Sequence, residues 1–226
     1  LAWSSAASDV YKRQEYAAIG AKFTKWRAVI KIGNDIPTQE CIDANMKALA
    51  DYAKIVQTNN MVPIVEPEVL MDGEHSAQLC FEATANCLKT LFSMLDANDV
   101  NLKGTILKPN MVVSGTDAPI QASVSEVAEL TLKVLKENVP SDLAGIAFLS
   151  GGQPDLLATE HLDAMNKIGG LSSPLSFSYG RALQQPALKA WMGQLDNKEA
   201  AQEAFSHRAL MNKLASKGEW QKDLEN

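Results

Sequence analysis

None of the 226 residues lies in an apolar run reaching the ~18 residues that a membrane span requires, and the N-terminus carries no apolar signal core. A soluble protein is therefore expected. Cysteine is scarce: Cys41, Cys80 and Cys87 are odd in number and show neither CxxC nor metal-ligand spacing, which reads as small core residues in a reduced compartment. The three histidines, His75, His161 and His207, lack HxxxH and HxH spacing, so no metal is implied. Neither GxGxxG nor GxxxxGK(S/T) occurs, which removes the usual signature of a nucleotide site at the switch point of an open sheet. Excess positive charge is missing too. A formal net charge of −6 argues against nucleic acid and anionic membrane as partners and leaves a small metabolite, including a phosphorylated one held in a local basic pocket.

What is present is an alternation. Apolar strand-like runs at Phe23–Ile32, Val62–Val65, Gly104–Leu107, Ile146–Leu149 and Leu175–Ser178 are separated by helical patterns at Thr38–Thr58, Glu74–Leu95, Ser123–Asn138, Pro154–Lys167 and Arg181–Met192. Five strands alternating with helices predict an α/β protein of parallel βαβ units. Thr38 is placed to cap the first of these helices, and Ser123 with Glu126 forms a capping-box pattern. A last helix is expected over Asn197–Lys217, followed by a polar tail, residues 219–226. At the other end, residues 1–14 have no clear period and resemble a translated adapter leader, so the folded part is expected to span 15–218. Five strands cannot close a packed eight-unit barrel, which takes ~250 residues. An open doubly wound sheet and a partial (β/α)8 (TIM) barrel are the alternatives, and the missing glycine-rich turn favours the partial barrel.

Charged and polar side chains recur where these strands end. Lys108 closes one apolar run and is followed by Pro109, which cannot donate to a ladder. A lysine there is either paired with a carboxylate or depressed in pKa until its neutral amine can attack a carbonyl. Glu66 and Glu68, two apart around Pro67, point the same way in extended chain and form either an ion-pair cluster with Lys25 and Lys108 or an acid/base pair. Lys25 and Arg27 share a strand face, with Trp26 on the other, and are either anion clamps or a solvated edge. Ser150-Gly151-Gly152 follows one strand, and Ser176-Phe-Ser-Tyr-Gly-Arg181 follows the next, with the arginine opening a helix. Glycine-turn N–H groups, a helix N-terminus and an arginine together suit a phosphate, although two ordinary tight turns would read alike.

Phe23-Thr-Lys-Trp-Arg27, Ile64-Val-Glu-Pro-Glu68, Leu107-Lys-Pro-Asn-Met-Val112, Phe148-Leu-Ser-Gly-Gly-Gln153 and Phe177-Ser-Tyr-Gly-Arg-Ala-Leu-Gln184 resemble, in order, the motifs of class I fructose-1,6-bisphosphate aldolase. The resemblance runs from about Glu15 to Gly218 and implies strands four to eight of a TIM barrel. It implies that Lys108 forms a Schiff base with the substrate ketone, that Glu66 is the acid/base of imine formation, that Lys25 assists proton transfer, and that Glu68 holds the lysines. Arg27 would bind the aldehyde-end phosphate; Ser150, Gly151, Ser178, Gly180 and Arg181 would bind the ketone-end phosphate. The implied partner is a small sugar phosphate, with no cofactor and no metal, in a cytoplasmic or plastid enzyme of glycolysis and gluconeogenesis. A homotetrameric parent and binding to cytoskeletal partners such as actin are implied as well. The family's first three strands, including an aspartate that joins the site, and its C-terminal tail have no counterpart here, so the chain is expected to be inactive by itself. A transaldolase-like Schiff-base barrel is disfavoured by the ordered motifs, and a catalytically silent scaffold is the alternative of a different class.

Overall fold

Strand β1 (Phe23–Ile30) shows how the chain builds two unlike faces. Its even-numbered residues turn inward: Ala28 and Ile30 are buried, Trp26 meets Tyr52 edge-on with ring centroids 5.4 Å apart, and Thr24 Oγ1 lies 2.7 Å from the Tyr52 hydroxyl. Phe23, Lys25, Arg27 and Val29 lie on the opposite face, as period-two alternation requires. A computed structural model describes residues 6–225. After α1 (Ala6–Ala18) and β1 come α2 (Gln39–Thr58), β2 (Val62–Val69), α3 (Ala77–Ala97), β3 (Ile106–Leu107), α4 (Val124–Asn138), β4 (Gly145–Phe148), α5 (Asp155–Ile168), β5 (Leu175–Phe177), α6 (Arg181–Trp191) and α7 (Lys198–Ala215).

The strands form one sheet in the order β1-β2-β3-β4-β5, every pair parallel. The helices pack in the same succession, α2 on α3, α3 on α4, α4 on α5 and α5 on α6. A doubly wound sheet reverses its strand order at a switch point, and there is no reversal among the described residues. The arrangement is that of consecutive units of a (β/α) barrel, open between β1 and β5. Val65, Leu107, Ile146 and Phe148 join Ile42, Met46, Leu49, Leu88, Leu91 and Leu132 of the helices in one core.

Capping follows expectation at two helices. Thr38 Oγ1 accepts from the Cys41 N–H at the start of α2, and Ser123 with Glu126 forms the reciprocal capping box of α4. Helix α3 starts three residues later than its apolar pattern suggests, because Ser76, whose Oγ accepts from the Leu79 N–H, provides the cap.

Four expectations need correction. Strand β2 runs to Val69 rather than stopping at Val65, so Glu66 and Glu68 lie within the strand. Pro67 is tolerated there because Val65 O accepts from the Lys108 N–H on the β3 side; Pro67, two residues on, faces that same side, where β3 has ended. Residues 6–14, read as an unpacked leader, are helical in α1, whose alanines and long straight side chains favour helix, and Arg13 lies 5.1 Å from the Tyr52 ring centroid. Residues 1–5 of that segment lie outside the described residues. The polar tail is also docked: the buried Trp220 donates its backbone N–H to Asp163 and its indole N–H to Glu225, which pairs with Arg208. Cys41 is exposed on α2, whereas Cys80 and Cys87 are core residues as expected.

Candidate active site

The C-terminal ends of the strands are laced together one after another. Leu70 N–H donates to Ile30 O, Lys108 N–H to Val65 O, Leu149 N–H to Pro109 O and Ser178 N–H to Phe148 O, at 2.8–3.1 Å. Each strand end is thereby set beside the next, and the polar residues that follow share one rim.

Lys108 projects from the end of β3 with its side chain 11% exposed, and its Nζ lies 3.1 Å from Glu66 Oε1. The second oxygen of Glu66 lies 2.8 Å from Lys25 Nζ, an ion pair without hydrogen-bond alignment. One buried carboxylate thus bridges two ammonium groups from neighbouring strands. Register explains the reach: Lys25 stands opposite Ile64 and Arg27 opposite Glu66, so each cation extends diagonally to the glutamate two residues further along β2.

Glu68 pairs with Arg27 rather than with either lysine, which corrects the role implied for it. The diagonal that gives Lys25 to Glu66 leaves Arg27 as the cation within reach of Glu68. That carboxylate raises the Arg27 guanidinium above its ordinary pKa, its hydrogen bond outweighing the opposing effect of burial. Nearly half of the Arg27 side chain stays open to solvent.

The second part of the rim follows β4 and β5. Ser150 is buried, and Gly151 and Gly152 take φ values of +61° and +106°, where a side chain would be strained. A Cβ on Gly152 would stand 3.2 Å from Arg181 Nη2, so the turn and the guanidinium are in direct apposition. Arg181 opens α6 after Gly180, and neither its N–H nor that of Ala182 has a backbone acceptor among the described residues. Ser178, Gly180 and Arg181 are exposed to solvent. A cation, a glycine turn and helix N–H groups without backbone acceptors thus lie close together at this end of the sheet.

Two contributors were not singled out from sequence. Asn110 accepts the Val69 N–H at Oδ1 (3.0 Å) and donates through Nδ2 to Thr84 Oγ1 and to Met111 O, thereby supplying the acceptor that β2 lacks once β3 has ended at Leu107. Gln153 donates its N–H to Ser150 O and pairs with His161 Nδ1 at 2.7 Å, so His161 supports the glycine turn from beneath. Burial pushes the His161 imidazole down to about 4, leaving it neutral.

Comparison with known proteins gives a consistent result. The sequence model described as fructose-bisphosphate aldolase class-I matches residues 6–226. A probable fructose-bisphosphate aldolase class 1 of Xylella fastidiosa is 53% identical over 208 residues, 92% of this chain and 62% of the relative. Fructose-bisphosphate aldolase B of Gallus gallus is 48% identical over 91% of this chain and 57% of its own length. Among solved structures, the fructose-bisphosphate aldolase of Plasmodium falciparum, crystallised with TRAP and a small-molecule inhibitor, superposes with a TM-score of 0.92 at 41% identity. That alignment covers 94% of this chain and 62% of the Plasmodium chain. The chain thus spans about three fifths of the length of the relatives it matches.

Proposed function

The chain belongs to the class-I fructose-bisphosphate aldolase family, and from that premise we propose that the whole protein cleaves fructose 1,6-bisphosphate reversibly into dihydroxyacetone phosphate and glyceraldehyde 3-phosphate. The observation that carries this reading is Glu66 set between Lys108 and Lys25 at 3.1 and 2.8 Å.

Imine formation needs an amine that attacks the ketone carbon, and a partner that passes protons as the carbinolamine loses water. Lys108 is the amine, and Glu66 is within reach of its nitrogen. Once the imine is protonated it withdraws electrons, so the bond between C3 and C4 breaks with its pair passing to the iminium carbon as an enamine. The aldehyde leaves from the C4 side as its hydroxyl gives up a proton to Glu66, which then protonates the enamine at C3, and water hydrolyses the resulting imine to free Lys108 and dihydroxyacetone phosphate. Lys25 compensates the carboxylate and lies where it can polarise the reacting hydroxyl. The Gly151–Gly152 turn with Arg181 takes the ketone-end phosphate, and Arg27 takes the aldehyde-end phosphate.

A partner-binding member of the fold without turnover is the second reading, favoured by the Plasmodium relative having been solved with TRAP. Borohydride reduction in the presence of dihydroxyacetone phosphate distinguishes the two. An adduct mapped to Lys108 by mass spectrometry, and lost in Lys108→Met together with cleavage, is expected. A protein that forms no adduct, or a Lys108→Met variant that still cleaves, overturns the proposal.

A further inference from the structure

Met71 lies just beyond β2, and nothing in the proposed reaction uses it. Its thioether nonetheless sits on the glycine turn: a Cβ at Gly151 would stand 3.7 Å from Met71 Sδ, and one at Gly152 would stand 3.6 Å from the same sulfur. The Gly152 position also meets Arg181, at 3.2 Å from Nη2 and 3.7 Å from Cζ. Methionine and guanidinium therefore converge on the same side of one glycine. The backbone of Met71 is itself held, since its carbonyl accepts the Thr116 N–H at 2.7 Å while the Leu70 N–H before it donates to Ile30 O. A side chain fixed at its root and resting on a turn at its tip is a strut between the ends of β2 and β4.

We propose that Met71 is a positioning residue of the phosphate site, its thioether setting the Gly151–Gly152 turn against Arg181. Both glycines occupy left-handed backbone conformations and bring no side chain of their own, so the turn is defined by what rests on it. Packing, rather than a hydrogen bond, does this, and a thioether suits the irregular surface of bare backbone and a guanidinium edge. Displacement of the turn by about 1 Å is enough to weaken a directional anion site severely. The inference rests on the phosphate assignment made above but not on the Schiff base.

The test is calorimetric binding of inorganic phosphate to the whole protein, in the parent and in Met71→Ala, Met71→Leu and Arg181→Ala. Met71→Ala is expected to weaken phosphate binding about tenfold, while Met71→Leu, which keeps the bulk, stays within about threefold of the parent. For a protein that turns over, the loss appears in KM for fructose 1,6-bisphosphate with kcat nearly unchanged. Undiminished phosphate binding in Met71→Ala overturns the proposal, as does Met71→Leu behaving like alanine. Equal phosphate binding in parent and Arg181→Ala overturns both this proposal and the phosphate site. A site that responds to Arg181 and Met71 in a protein giving no Lys108 adduct leaves this inference standing and removes the reaction assigned above.

Discussion

Lys108 and Arg27 each face a buried glutamate of β2, yet their surroundings differ. Lys108 is largely enclosed beside Glu66, whereas Arg27 extends to Glu68 with nearly half its side chain in solvent, where a phosphate can compete for it. Arg181 stands at the other part of the rim, against Gly152. The two arginines should therefore be separable by substrate. Arg27→Ala is expected to raise KM for fructose 1,6-bisphosphate at least tenfold while sparing fructose 1-phosphate, which lacks the aldehyde-end group, whereas Arg181→Ala should penalise both sugars alike. Identical profiles for the two variants would refute separate phosphate sites. His161 makes a different prediction because it is buried and neutral. Its pKa falls from 6.5 in the unfolded chain to about 4 when folded, so its contribution to stability is complete above pH 6.5 and is lost as pH falls toward 4. One proton contributes a slope of at most about 1.4 kcal/mol per pH unit in that window. His161→Gln should flatten the acid limb of a stability profile between those values; an unchanged slope would show that His161 is not its source.

At the scale of elements, most of the architecture was readable because strands and helices announce themselves by different periods. The apolar stripe Ile42, Met46, Leu49 and Ala53 put α2 on the sheet, where all four are buried, and the Lys25/Arg27 alternation fixed which face of β1 carries charge. The second half of β2 was illegible because Glu66, Pro67 and Glu68 oppose strand formation locally. What keeps them in the strand is β1, paired residue for residue from Phe23↔Val62 to Ile30↔Val69, and a partner strand is not visible in local sequence. Asn110 was hidden for the same reason, since its distant partners, the Val69 N–H and the Thr84 hydroxyl, come from β2 and α3. Asn110→Ala should leave the Val69 N–H buried without a partner, at about 1–3 kcal/mol, and leave the Thr84 hydroxyl with only its weak contact to Cys80 Sγ. A urea-unfolding midpoint within error of the parent would show that water replaces the side chain at no cost.

At the scale of the whole molecule, the sheet has two open sides. Among the described residues β1 pairs only with β2 and β5 only with β4, so the outer row of N–H and C=O groups on each is unpaired. The two sides differ in consequence: β5 is three residues long, whereas β1 presents eight, with Phe23 62% and Val29 41% exposed. Long, parallel-paired strands with exposed apolar residues recruit further strands, and short ones do so poorly. The 226-residue chain expressed alone is therefore expected to self-associate through β1 and to show no aldolase turnover, since the rim that carries Lys25, Glu66, Lys108 and Arg181 stays open between β1 and β5. Placing charge on that edge tests the mechanism of association: Phe23→Lys with Val29→Lys should lower the apparent mass in light scattering toward 24.5 kDa, and equivalent changes near β5 should not. Neither substitution supplies a strand beside β1 or β5, so turnover should remain absent in the dispersed variant. A parent chain that is already monomeric, or one that turns over fructose 1,6-bisphosphate without added segments, would show that β1 is protected and that the rim from Lys25 to Arg181 suffices for catalysis.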